Sequence, residues 1–194
     1  MRTSELKRVT TETDISVALN LDGSGNYTID TGVGFFDHML CLFAKHAQMD
    51  LTVSCKGDTQ VDAHHTVEDT GIVLGQAIAR ALGDKARIRR YATKYVPMDE
   101  ALVRTSLDIS GRPYLVFQAE FAAPALGSFD TQLAEEFFRA VAVQAGLTLH
   151  ITELYGKNTH HIIEAMFKSF AHALREAASV DESLQGVLST KGVL

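Results

Sequence analysis

Two copies of one cassette, His-His-x-x-Glu, stand in this chain: His64-His65-Thr66-Val67-Glu68 and His160-His161-Ile162-Ile163-Glu164. They lie 96 residues apart (160 − 64 = 96) and hold four of the chain's eight histidines. On a helix the first His and the Glu are four positions apart, and the second His and the Glu three, so these groups share a face. Each cassette therefore offers neutral imidazoles and a carboxylate to a cation, and the pair can build a two-metal site. A single cassette also reads as surface histidines at a helix start; the matched duplicate argues against that. Histidine plus carboxylate suits Mn, Fe, Co or Zn. The order is inverted relative to the His-Glu-x-x-His zinc hydrolases, and four cysteines for a closed zinc site are missing.

Further histidines are available to complete the shells. His38 sits at the start of a helical stretch in Phe35-Phe36-Asp37-His38-Met39-Leu40, with His46 two turns later, and His150 follows a strand. His172 reads as a helix-face residue and Asp37 as a helix cap. For anions, the candidates are Arg112 after Gly111, Lys168 one turn beyond Glu164, and the tail Ser189-Thr190-Lys191-Gly192. Hydroxyls and amides beside Lys and Arg are what a phosphate needs. By spacing alone, Lys85 to Arg90 reads as a solvated basic connector and the tail as a frayed terminus.

The elements that position these groups repeat. Strands are expected at Ile15 to Leu21 and Tyr27 to Ile29, a helix from Phe35 to Gln48, a strand at Leu51 to Cys55, and a cassette helix reaching about Leu82. The second half gives strands at Ala101 to Ser110 and Tyr114 to Phe121, then a helix at about Thr131 to Ala145. A strand at Leu147 to Thr152 and a cassette helix to about Ala178 follow. Leu51-Thr52-Val53 and Leu147-Thr148-Leu149 share the cassettes' 96-residue offset. The fold class is α+β: duplicated β-β-α-β-α halves, approximately 1–92 and 93–194, with sheets packed on helices in one pseudo-twofold domain. Small residues in the first cassette helix (Gly71, Gly75, Ala77, Ala79) invite a second helix to approach closely.

With 46% hydrophobic and 22% charged residues, the 194-residue chain has the make-up of a soluble globular domain. A net charge of −6 argues against a broad nucleic-acid surface. No apolar stretch suits a membrane span or a signal peptide. Two cysteines make no disulfide framework, so a cytoplasmic setting is expected.

Together these residues resemble the imidazoleglycerol-phosphate dehydratase family of histidine biosynthesis over nearly the whole chain. The landmarks are Thr11-Glu12-Thr13, Gly34-Phe35-Phe36-Asp37-His38-Met39-Leu40 and Asp62-Ala63-His64-His65-Thr66-Val67-Glu68-Asp69. They continue with Gly111-Arg112-Pro113, His160-His161-Ile162-Ile163-Glu164-Ala165, Phe167-Lys168 and Ser189-Thr190-Lys191-Gly192. The resemblance implies an enzyme with two Mn(2+) per site that removes water from imidazole glycerol phosphate to give imidazole acetol phosphate. It implies one metal held by His38, His65, His160 and Glu164, and the other by His64, Glu68, His161 and position 136. Many relatives carry His there; this chain has Glu136, a carboxylate that serves Mn equally well, with His150 as the substitute. Glu12 is implied as the base for the carbon proton, with Glu68 and Glu164 sharing proton transfers. Arg90, Arg112, Lys168, Ser189, Thr190 and Lys191 are implied to hold the phosphate, and His46 and the metal ligands to contact the substrate. Homo-oligomeric particles of 24 subunits with sites at subunit contacts are also implied, with no nucleic-acid or membrane partner. A non-catalytic metal-binding assembly and another dinuclear enzyme such as a phosphoesterase are the alternatives.

Overall fold

The computed structural model describes residues 1–194. In the first half, β1 (Thr3–Val9), β2 (Thr13–Asn20) and β3 (Tyr27–Asp30) lead into α1 (Gly34–Ala47), β4 (Asp50–Gly57) and α2 (His64–Leu82). The second half runs β5 (Tyr91–Met98), β6 (Ala101–Asp108), β7 (Tyr114–Gln118), a short hairpin of β8 (Ala125–Leu126) and β9 (Phe129–Asp130), α3 (Leu133–Ala145), β10 (Thr148–Tyr155) and α4 (Thr159–Ala178). The two four-stranded sheets have the same topology, β1-β2-β4-β3 and β5-β6-β10-β7, each with one parallel pair, β3 with β4 and β7 with β10.

The α+β duplication is as the pattern predicted, with one more strand at the front of each half. Those strands, β1 and β5, are sheet edges whose only fully buried side chains are Ser4 and Ala92. Without an apolar face there is no period-2 hydrophobic signal to read, and charged residues on an edge are how sheets discourage further pairing. The first strand of the second sheet accordingly starts at Tyr91.

The internal repeat is also not uniform. α1 and α3 end on the left-handed residues Gln48 and Gly146, 98 positions apart (146 − 48 = 98). The buried strand residues Leu51 and Leu149 therefore correspond, and the 96-residue match of Leu51 to Leu147 is off by one pleat repeat. The cassettes remain 96 apart because β10 gains one residue in a bulge after Glu153, while the connection from β4 to α2 (58–63) is three residues longer than that from β10 to α4 (156–158).

Helices from opposite halves pack on one another between the sheets, α1 against α4 and α2 against α3. The buried residues of both halves form one contiguous core, with Phe137 stacked on Phe167 at 5.1 Å and Phe36 edge-on to Phe137 at 5.3 Å. Close approach of α2 to α3 depends on two glycines. A Cβ on Gly71 would lie 2.9 Å from Ala140 Cβ, and one on Gly75 2.7 Å from Gln144 Cβ. Gly75→Leu should therefore lower stability by about 1–3 kcal/mol through overpacking, read as a lower unfolding midpoint in guanidinium. An unchanged midpoint would show that the helices can separate freely there. No helix is long and apolar enough to cross a membrane.

Candidate active site

Each cassette opens its helix, and a side chain two residues before its first His fixes that start. Asp62 Oδ1 accepts the His64 N–H at 2.7 Å; Asn158 Oδ1 accepts the His160 N–H at 2.9 Å. These side chains satisfy donors that a helix start otherwise leaves unpaired. The first turn then throws its imidazoles outward while Val67 and Ile163 anchor in the core.

Packing of α1 on α4 brings His38 to the second cassette. His38 Nε2 lies 3.6 Å and His160 Nε2 3.2 Å from Glu164 Oε2, and the ligand atoms of the three all fall within 4.8 Å of one another. The imidazoles are half-exposed, whereas Glu164 is 6% exposed. Burial pushes the Glu164 carboxyl up, but the Lys168 ammonium at 2.5 Å, with His160 and His38, holds it below the usual carboxylate range. An ionised carboxylate and two open imidazoles fit a divalent cation.

The pairing of α2 with α3 makes the counterpart. Glu136 and His38 each stand ten residues before the left-handed end of their helix (146 − 136 = 10; 48 − 38 = 10). Glu136 shares a cavity with His64, Asp62 and Asp130, and His64 Nε2 is 3.4 Å from Glu68 Oε2. Glu136 is also 3.7 Å from Arg139. Its substitute, His150, is misplaced: it lies on the face of β10 opposite the buried Leu149 and Ile151, beside Tyr91, Thr93 and Ser106. Strand alternation put it on the side of the sheet away from the helices.

The second histidine of each cassette leans on an acid. His65 Nδ1–H donates to Asp58 Oδ2 at 2.9 Å, and His161 Nδ1–H to Glu100 Oε2 at 2.7 Å. Each hydrogen bond raises its imidazole's pKa above the ordinary value, and His161 with the Asn158 and Lys157 amides holds Glu100 down at about 2. Asp58 and Glu100 escaped the sequence reading because their partners are seven and sixty-one positions away. Glu12 lies at the β1–β2 turn, half-exposed, with Oε1 3.8 Å from His65 Nε2. Nearby, Thr13 Oγ1 donates to the buried Asp69 at 2.6 Å, tying the hairpin to α2.

Within one chain the cassettes do not meet: the only cluster of three metal-capable groups is His38, His160 and Glu164, and it includes neither His65 nor any first-cassette residue. His46 is set back along α1, its Nδ1 3.2 Å from His172 Nε2, a pairing that the sequence did not suggest. Burial lowers the pKa of both rings. Asp37 accepts the Thr31 N–H at 2.9 Å, ordering the approach to α1.

Arg90, Arg112, Ser189, Thr190 and Lys191 line one open cleft with Tyr91. Arg90 is buried, not a solvated connector residue: its Nε and Nη2 donate to Asp108 at 2.7 and 3.0 Å, and Nη1 to the Leu188 carbonyl at 2.7 Å. That last bond, and the Arg87 N–H donated to the Gly186 carbonyl, hold the tail down where fraying was the reading from spacing. Arg112 stays exposed at 67%. Lys168 does not line this cleft; its ammonium, 16% exposed, is committed to Glu164.

The imidazoleglycerol-phosphate dehydratase family model matches residues 31–174. An imidazoleglycerol-phosphate dehydratase of Acetivibrio thermocellus is 63% identical over 193 residues, covering 100% of this chain and 99% of that protein. The chain belongs to the imidazoleglycerol-phosphate dehydratase family. A Clostridium kluyveri dehydratase is 60% identical over all of both chains. Among solved structures, the Staphylococcus aureus imidazoleglycerol-phosphate dehydratase superposes with a TM-score of 0.84 at 44% identity, covering 92% of this chain and 99% of that one. The Pyrococcus furiosus enzyme, solved in complex with (S)-C348, gives 0.84 at 39% identity, covering 97% and 100%. The protein is thus an enzyme, a hydro-lyase of the dehydratase family, with the biosynthetic role in making histidine that the resemblance implied. Its duplicated halves are the dehydratase fold.

Proposed function

We propose that the protein removes water from D-erythro-imidazole glycerol phosphate to give imidazole acetol phosphate, with two Mn(2+) ions per site. The observation that carries this reading is the cluster of His38, His160 and Glu164 from α1 and α4, with a looser counterpart in which Glu136 shares a cavity with His64 and His64 lies 3.4 Å from Glu68. Joined across a subunit contact, with His65 added to the first and His161 to the second, each becomes a four-ligand shell. This is why we favour an assembly, of the 24 subunits that the resemblance implies, over an isolated chain. When bound, the cations supply Lewis acidity and a template for the imidazole ring and a hydroxyl.

The chain's own groups do the rest. The carbon to be deprotonated has no adjacent carbonyl, so a positioned base is needed, and Glu12, half-exposed with its carboxylate 3.8 Å from His65 Nε2, is the one the resemblance implies. Glu68 and Glu164 hold cations and can pass protons at the imidazole side. Arg112, Lys191 and the hydroxyls of Ser189 and Thr190 take the phosphate, on a tail whose path Arg90 fixes. Local positive charge in an acidic protein concentrates such an anion at the cleft. Lys168 keeps Glu164 ionised, and His46 supports α1 behind His38. The unpaired thiols Cys41 and Cys55 suit a reducing cytoplasm.

One assay tests the reading. Incubation with imidazole glycerol phosphate and Mn(2+) should yield an enolisable ketone and no inorganic phosphate. Free phosphate would identify a phosphoesterase instead, and bound metal without any product would identify a metal-binding assembly.

A further inference from the structure

We propose that Glu100 is a positioning residue: it holds the His161 ring by Nδ1 and so presents an unprotonated Nε2 to the cation, on the side where Asp99 stands 3.7 Å away. The proposal rests on the reading of His161 as a metal ligand.

The argument comes from register. In the first sheet Val17 pairs with Val53, and in the second Thr105 pairs with Ile151. Val53 and Ile151 stand equally far beyond the left-handed helix ends Gln48 and Gly146 (53 − 48 = 5; 151 − 146 = 5), so Val17 and Thr105 are equivalent. They are 88 positions apart (105 − 17 = 88), and the same step carries Glu12 onto Glu100 (100 − 12 = 88). Each lies at the first hairpin of its sheet, beside the start of a cassette helix.

The two glutamates differ in what they hold. Glu100 Oε1 accepts the N–H groups of Lys157 at 3.1 Å and Asn158 at 2.7 Å, which aims Oε2 at His161 Nδ1, 2.7 Å away. Glu12 is not so tied: its closest approach is 3.8 Å, to the other nitrogen of His65. In the first half the Nδ1 partner is Asp58, from the longer connection between β4 and α2. A bulge after Glu153 makes Gly156 the counterpart of Gly57, each facing its cassette helix at Ile162 and Thr66, so Asp58 corresponds to Lys157, which is no acid and whose N–H donates to Glu100. The orienting acid thus comes from the connection in one half and from the hairpin in the other. With Asp58 on His65 Nδ1, the hairpin glutamate of the first half, Glu12, is left for proton transfer. An imidazole coordinates through Nε2 only when its proton sits on Nδ1, and a carboxylate there fixes that tautomer.

Glu100→Gln separates this from a merely structural role. The glutamine oxygen can still accept from Lys157 and Asn158, but its amide donates to Nδ1 and drives the ring proton onto Nε2. Titration of the chelated variant with Mn(2+), followed by electron paramagnetic resonance, should show one class of site weakened about 10–100-fold and the other unchanged. Glu12→Gln should leave both classes at parent affinity. His161→Gln should weaken the same class at least as far, with Glu100→Gln adding nothing to it, because Glu100 acts only through that ring. Parent-like affinity at both sites in Glu100→Gln would overturn the proposal. So would a further loss when the two changes are combined. A parent protein that binds no Mn(2+) would sink the metal reading itself, and this proposal with it.

Discussion

Glu12→Gln should lower kcat by about 10²–10⁴-fold, the range that a positioned general base contributes. Its backbone is held on both sides: the Glu12 N–H donates to Thr10 Oγ1 at 3.1 Å, and its carbonyl accepts the Asp58 N–H at 3.1 Å. The side chain itself makes no hydrogen bond shorter than the 3.8 Å approach to His65. Removing its charge therefore disturbs neither fold nor metal shell, and metal analysis should return parent content. Loss of a transition-state interaction alone lowers kcat and kcat/KM equally. Steady-state kinetics with parent-like turnover would remove Glu12 from the mechanism and leave the ligand carboxylates as the remaining bases.

Exhaustive chelation should abolish turnover and also shrink the particle. Each chain gathers only three candidate ligands in one place, His38, His160 and Glu164, and leaves the first cassette elsewhere. If a shell closes only when a second copy brings the missing imidazole, the binding free energy of the metal is also association free energy. Light scattering before and after metal removal reads the effect, and Mn(2+) re-addition should restore both size and activity. Particles that keep full size without metal would uncouple the two.

Much of this was legible before any coordinates. The cassettes share helix faces because i, i+3 and i, i+4 geometry is local. Gly71 and Gly75 announced a close helix neighbour, and α3 is there. What escaped were elements with no apolar face. β1 and β5 bury almost nothing, so hydrophobic alternation is silent about them, although they complete the hairpins that place Glu12 and Glu100.

Residue types and short spacings determined which groups can bind a cation, which helices carry them, and that the whole is duplicated. Which acid meets which imidazole was decided only in three dimensions. Asp58 and Glu100 reach His65 and His161 because strand register and an unequal connection put them there, not because of any repeating interval. Likewise Glu136 became the counterpart of His38, and His150 was turned outward, through packing of α3 on α2 and the alternation of β10. Side-chain types and helix periodicity act over a turn or two, whereas these partnerships depend on how sheets and helices from distant parts of the chain come to rest together.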